Sequence, residues 1–326
     1  MKKFIKYNLL LLGGTLLCGA NSADAASIYD NSMVALNVNM LSDTFMSYAN
    51  RGENLSDYFH TYASYGTMHR VDEYGDDGST LKGTDTFANK SFIKTIWLNA
   101  NHINGHMHYN DNTSKHVRLN LATVGVSTKS MDTGYGTLSF GGFASYINTK
   151  IPNIKSNGDV AGFFTDYKYD IFGTKILANI GSLNTSAGGQ DSTNSWVNAA
   201  DEIYVNLKLD KTLYFKPSVY VGYTWVSSDL TSDYNFLNVV PSVRFIKEII
   251  PNWYAAFSAR YVTHFGGDDD VTIDGATHDG LSTDNYTDIG IDLEYNLNRF
   301  VFGGNVHKTL GGFDGLSTNL NLKYIF

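Results

Sequence analysis

Three histidines, His102, His106 and His108, fall in the run Asn101-His102-Ile103-Asn104-Gly105-His106-Met107-His108. Separated by four and two residues, they would share one face of an extended strand, as a transition-metal site requires. No cysteine or carboxylate in the run completes a ligand set, so the expectation is a polar outer loop with surface imidazoles. A second candidate is Gly266–Gly280, which holds Asp268, Asp269, Asp270, Asp274 and Asp279. Carboxylate oxygens suit calcium, but the spacing lacks the closing bidentate Glu of an EF-hand loop. A solvated acidic loop is expected there, and no metal or other cofactor is assigned. Ser258 and His264 would share a face of one strand, three pairs apart and too distant to hydrogen-bond. No G-x-S-x-G elbow is present. The chain is therefore expected not to be an enzyme, with no catalytic residue.

The other charges alternate with apolar residues. In 252–265, Trp253, Phe257, Tyr261 and Phe265 oppose Tyr254, Ser258, Arg260 and His264. In 284–296, Ile289, Ile291, Leu293 and Tyr295 oppose Asp288, Asp292, Glu294 and Asn296. In 213–226, Phe215, Val219, Val221, Tyr223 and Trp225 oppose Lys216, Ser218, Tyr220 and Thr224. Period-two alternation marks strands with one oily and one wet face. Read this way, Lys208, Lys216, Arg244, Arg260, Asp288, Asp292, Glu294 and Lys323 all project toward one interior. Charges inside a small barrel pair with each other or line a wet channel.

The elements that would hold them are strands centred on 93–103, 117–127, 136–147, 159–169, 173–183, 197–209, 213–226, 236–247, 252–265, 284–296, 298–308 and 315–326. Twelve is an even number, as bacterial single-chain barrels require. Alternation alone also fits a soluble sandwich. The connections discriminate: short ones near 169–173, 210–211, 248–252 and 297–298, with 127–135 longer than the rest, alternate with long ones near 103–116, 148–158, 184–195, 227–235, 266–283 and 309–315. Short turns at one end and long loops at the other are the membrane-barrel arrangement. The last strand sets Leu316, Thr318, Leu320, Leu322, Tyr324 and Phe326 against Ser317, Asn319, Asn321, Lys323 and Ile325. The predicted fold class is thus all-β: a transmembrane antiparallel up-and-down barrel of twelve strands over 92–326.

Composition agrees. The chain has 326 residues with net charge -8, 14% aromatic and 17% charged residues, 22 tyrosines and 31 glycines. Outside the N-terminus no apolar run approaches the roughly 20 residues of a spanning helix. The acidic balance argues against a nucleic-acid partner. Residues 1–25 read as a cleavable signal peptide, with Lys2, Lys3 and Lys6 before an apolar stretch and Ala23-Asp24-Ala25 at the cleavage site. The lone Cys18 lies inside it, so the exported chain would have no disulfide. Residues 26–91 form a short helix-and-loop segment. Within it Met33, Leu36, Met40, Leu41, Phe45 and Tyr48 recur at helical spacing, and Leu55, Tyr58, Phe59 and Tyr62 extend the pattern past Arg51-Gly52. A helix over 31–62 threaded through the lumen would satisfy many of the inward charges. Residues 65–90 read as loop.

With these residues in view, the chain resembles the autotransporter (type V secretion) β-barrel domain of Gram-negative bacteria. Trp97, Val124-Gly125-Val126, the run Gly136 to Phe143 and the end Leu320-Asn321-Leu322-Lys323-Tyr324-Ile325-Phe326 carry the likeness. It implies a pore-threading helix, an outer-membrane location at the cell surface, and Leu320, Leu322, Tyr324 and Phe326 as a membrane-assembly signal. The implied partners are outer-membrane lipid, the barrel-insertion machinery and periplasmic chaperones, acting on a monomer. A family member usually carries a large passenger; here only about 65 residues separate the signal peptide from the first strand, within boundaries good to about 2–4 residues. The expected function is a translocator or surface-displayed protein without a large passenger. The alternatives are a porin-like channel for small solutes and an adhesin acting through its outer loops.

Overall fold

The computed structural model describes residues 54–59, 92–108, 114–187, 190–229, 233–265, 271–273, 276–278 and 285–326. Twelve long strands make the fold: β1 (Ile93–His108), β2 (Ser114–Thr128), β3 (Thr137–Ile151), β4 (Ile154–Tyr169), β5 (Phe172–Ala187), β6 (Gln190–Val205), β7 (Leu213–Ser228), β8 (Tyr234–Ile250), β9 (Trp253–Phe265), β10 (Tyr286–Leu297), β11 (Phe300–Gly311) and β12 (Phe313–Ile325). Each is antiparallel to its neighbour in sequence. Strand β12 returns to β1 in unbroken register from Thr95↔Ile325 to Met107↔Phe313, which closes the barrel. Short added strands at Met131–Asp132 and Leu207–Asp210 pair with β3 and β7, and Val271–Ile273 pairs with Ala276–His278. The lower rim is the end where β1 starts and β12 finishes; the upper rim is opposite.

The twelve-strand barrel is as expected, but the strands run longer than their apolar alternation. Asn148–Gly158, expected as a long loop, is the end of β3 and the start of β4, joined by Pro152-Asn153. Thr309–Gly315 shrinks to Gly312 between β11 and β12, and only residues 188–189 separate β5 from β6. His102, His106 and His108 likewise lie within β1, not in a loop. Backbone pairing needs amides and carbonyls, not oily side chains, so the ladders continue through polar sequence. Alternation therefore reads the width of the apolar belt rather than strand length. The tight turns use residues suited to them: proline presets φ in Pro152-Asn153 and Pro251-Asn252, and the asparagines take φ of 67° and 70°.

The wall alternates throughout. Outward lie exposed residues such as Leu98, Val124, Ile180, Val221, Trp225 and Ile291, while their strand neighbours are buried inside. Large inward side chains fold over a glycine on the next strand. Trp97 is the register partner of Gly125, and Trp196 of Gly181. A Cβ on either glycine would sit 2.1 Å from the indole. These are packing glycines: the missing Cβ is the space the indole occupies.

Overpacking a filled interior typically costs about 1–3 kcal/mol. Gly125→Val should exceed that and reduce the folded, heat-modifiable fraction on semi-native gels, because neither indole nor strand can give way. Gly142→Ala, whose Cβ would meet only Gly162 O at 3.5 Å, should fold normally.

Candidate functional site

The inward face of β10 presents Asp288, Gly290, Asp292 and Glu294 in succession, all buried. Across the register Arg260 on β9 stands opposite Asp288, and its Nε donates to Asp288 Oδ2 at 2.7 Å. Arg244 on β8 reaches past β9, and its Nη2 donates to Asp292 Oδ2 at 3.0 Å. On the other side His307 of β11 is the partner of Gly290, and its ring lies over that glycine. A Cβ at Gly290 would be 2.3 Å from the ring. The empty place lets one imidazole approach both acids, with Nδ1 2.9 Å from Asp288 Oδ1 and Nε2 3.6 Å from Asp292 Oδ1. Buried charges persist where each has a partner. Here four strands supply one linked set.

A second set lies on β6 and β7. Lys216 is fully buried, with Nζ 3.6 Å from Glu202 Oε1 and 4.2 Å from the centroid of Tyr204. Tyr204 in turn donates its hydroxyl to Asp166 at 2.6 Å. Lys208, expected inside, sits exposed at the lower rim with Nζ 5.7 Å from the Tyr214 ring centroid. Over β1 to β7 the interior is mostly neutral, with pairs such as Thr123–Ser145, Ser156–Thr185 and Asn179–Asn198.

The third set holds a piece of chain from outside the barrel. Residues Asn54–Phe59 lie in the lumen near the lower rim, with a helical turn at 57–59. The amides of Leu55 and Ser56 donate to Glu294 at 2.9 and 3.1 Å. Amides entering a helical turn have no partner within it, so a carboxylate there supplies both acceptors and a favourable charge. Lys323 Nζ stands 3.8 Å from the same carboxylate. Asp57 accepts from Lys94 Nζ at 2.9 Å. Leu55 and Tyr58 pack with Tyr214, Ile246, Tyr254 and Ala256, while Phe59 stacks on Tyr254 at 5.3 Å between centroids. Of the helix expected over 31–62 these six residues are inside the barrel; the remainder, the loop 65–90 and the signal peptide lie outside the described residues.

Among the remaining expected positions, Leu320, Leu322 and Phe326 are exposed on the outer face, and Tyr324 packs edge-on to Phe300 and Phe326. The histidines face outward: His102 Nδ1 is 2.8 Å from Asn120 Oδ1, and His106 lies 5.0 Å from His116 between ring centroids. No group of three metal ligands occurs among the described residues. Of Gly266–Gly280 only the two short paired strands are described. Ser258 is buried on the inner face. Sequence reasoning missed His307, Glu202, Lys94 and Asp57. Alternation carried through β11 puts His307 inside beside Asn305 and Thr309, but only the register shows that it lands on a glycine between two acids.

No protein-family model matches the chain, and no curated protein matches it in sequence. Solved structures do match. The β-domain of the Bordetella autotransporter BrkA superposes at a TM-score of 0.58 with 11% identity, over 72% of this chain and all of that one. The transport unit of the autotransporter AIDA-I from Escherichia coli gives 0.56 and 14%, covering 82% and 99%. The fold is that of an autotransporter translocator domain. The translocator domain of NalP from Neisseria meningitidis gives 0.53 and 12%, covering 83% and 99%.

Breaking a buried pair by removing one member costs about 3–5 kcal/mol. Glu294→Ala leaves Lys323 and two amides without that carboxylate, so its urea midpoint in detergent micelles should fall accordingly. Lys247→Ala, an exposed position opposite Leu213 and Ala255, should leave the midpoint unchanged.

Proposed function

We propose that this chain is an outer-membrane barrel of autotransporter type, a translocator or surface-displayed protein that keeps its own N-terminal segment in the pore. The observation that carries the reading is the grip of Glu294 on the Leu55 and Ser56 amides, because it puts a segment preceding β1 inside the barrel. The outer face supports embedding in lipid. Its belt of Leu, Val, Ile and aromatic side chains is exposed, and near the lower rim Trp253 stacks on Tyr295 while Phe300, Tyr324 and Phe326 cluster. Aromatic girdles at the lipid boundary are the membrane-barrel pattern. Asp201 faces out within the belt and accepts a 2.6 Å hydrogen bond from Thr174. Since β12 pairs on both sides, no sheet edge is left open to lipid.

Residues Leu320, Leu322, Tyr324 and Phe326 then serve as the signal read by the barrel-insertion machinery, and the upper rim faces the cell exterior. The strongly linked acids and bases act as struts that hold the lumen in shape around the segment.

Planar-bilayer conductance tests the plugged barrel. Full-length protein should conduct little, and deletion of residues 26–64 should raise single-channel conductance several-fold. Equal conductance from both would sink the plug and favour the porin-like alternative. Assembly offers a separate check: deleting Phe326 should deplete heat-modifiable protein from the outer-membrane fraction. Leu320→Asp should do likewise, by about 2 kcal/mol of insertion energy. Asn321→Ser should be mild.

A further inference from the structure

The upper half of the outer wall sets a layer of asparagines and, above it, a layer of cations across three adjacent strands. Reading upward, β2 presents Ala122, Asn120 and Arg118; β3 presents Tyr146, Asn148 and Lys150; β4 presents Asp159, Asn157 and Lys155. All face outward, and the layers are in register. Asn120 opposes Asn148, which opposes Asn157; Arg118 opposes Lys150, which opposes Lys155. Like charges placed directly opposite are destabilising. Among the described residues no carboxylate pairs with Arg118, Lys150 or Lys155. Three contiguous cations of this kind call for an anion from outside the chain.

Below them the wall is hollow. Ala100 opposes Ala122 and Ala144 opposes Ala161, and over these small side chains runs an open groove of about 1210 Å³. Its exposed surface is mainly apolar, with Tyr146 and Asp159 at its upper margin. Successive side chains on one face of a strand are about 7 Å apart, so the cations stand about 14 Å above the groove on β2. The amide layer fills that interval with both donors and acceptors, the complement of sugar hydroxyls.

We propose that this wall is a specific docking site for a phosphorylated, acylated glycolipid of the outer leaflet. An acyl chain lies in the alanine groove, sugar rings rest on the asparagine layer, and a phosphate is held by Arg118 and Lys150, with Lys155 beside them. Arg suits phosphate because its guanidinium offers two parallel donors. Asp159, one step below Asn157, accepts from a sugar hydroxyl rather than facing the phosphate. The site rests on the membrane reading above, since its lipid must come from the bilayer that surrounds the barrel.

The test uses full-length protein in detergent micelles and purified lipopolysaccharide, either intact or stripped of its phosphates, with affinity read by thermophoresis. Intact lipopolysaccharide should bind Arg118→Gln/Lys150→Gln at least tenfold more weakly than the unsubstituted protein. Dephosphorylation should weaken binding to the unsubstituted protein by a similar factor and barely change the double variant. Ala122→Trp, which fills the groove, should also weaken binding, whereas Lys247→Gln, an exposed cation near the lower rim, should not. Equal affinities for the double variant and the unsubstituted protein, or indifference to the phosphates, would overturn the site. Each protein is first recovered from the outer-membrane fraction in heat-modifiable form. Unsubstituted protein missing from that fraction would instead overturn the membrane reading, and the site with it.

Discussion

Closure of β12 onto β1 is the constraint from which the rest of the structure follows. Thirteen register pairs join the two strands, from Thr95↔Ile325 to Met107↔Phe313. Once they meet, the strand ladders run all the way round the wall and every second side chain must enter a confined interior. The interior cannot be uniformly oily, because the outward face already takes the apolar residues. The chain resolves this in two ways. Over β1 to β7, Thr, Ser and Asn bond across strands and indoles lie on glycines, with Lys216 and Glu202 as a buried pair among them; over β8 to β12, acids and bases interlock around His307. Neutral ladders and ion pairs are two solutions to one problem, that of satisfying polar atoms away from bulk water.

The groups that grip the segment come from both parts, with Glu294 and Tyr254 from the charged one and Lys94 and Tyr214 from the other. Glu294 faces Lys323 and still has both oxygens available to the Leu55 and Ser56 amides, while Tyr214 and Tyr254 offer a flat apolar bed for Tyr58 and Phe59. Anchoring by backbone amides depends little on the identity of the side chains held. Aromatic packing restores some selectivity. Together they suit a site that must hold one short segment of its own chain.

Much of this was legible in the sequence, for a definite reason. Period-two alternation at Trp253–Phe265 and Tyr286–Leu297 reports directly on which face meets oil, so the strand number, the inward charges and the outward Leu320 and Leu322 could all be read from it. Strand length could not, because Asn148↔Asn157 and Lys150↔Lys155 pair through their backbones while carrying no apolar signal. The histidines of β1 were drawn into a loop by the same polar sequence. Lys208 was read as interior from its parity, yet parity says nothing about depth, and it lies at the open rim. The meeting of His307 with two acids depends on a partner glycine on another strand, which no local pattern can reveal.

The placement of Glu294 and Lys323 has a consequence for the order of events. The acid belongs to β10 and the lysine to β12, so the pocket for Leu55 and Ser56 is not complete until the final strand has been laid against its neighbours. A stretch that precedes every strand in sequence is thus seated against residues from the first strand to the last, so one short segment ties distant parts of the wall together.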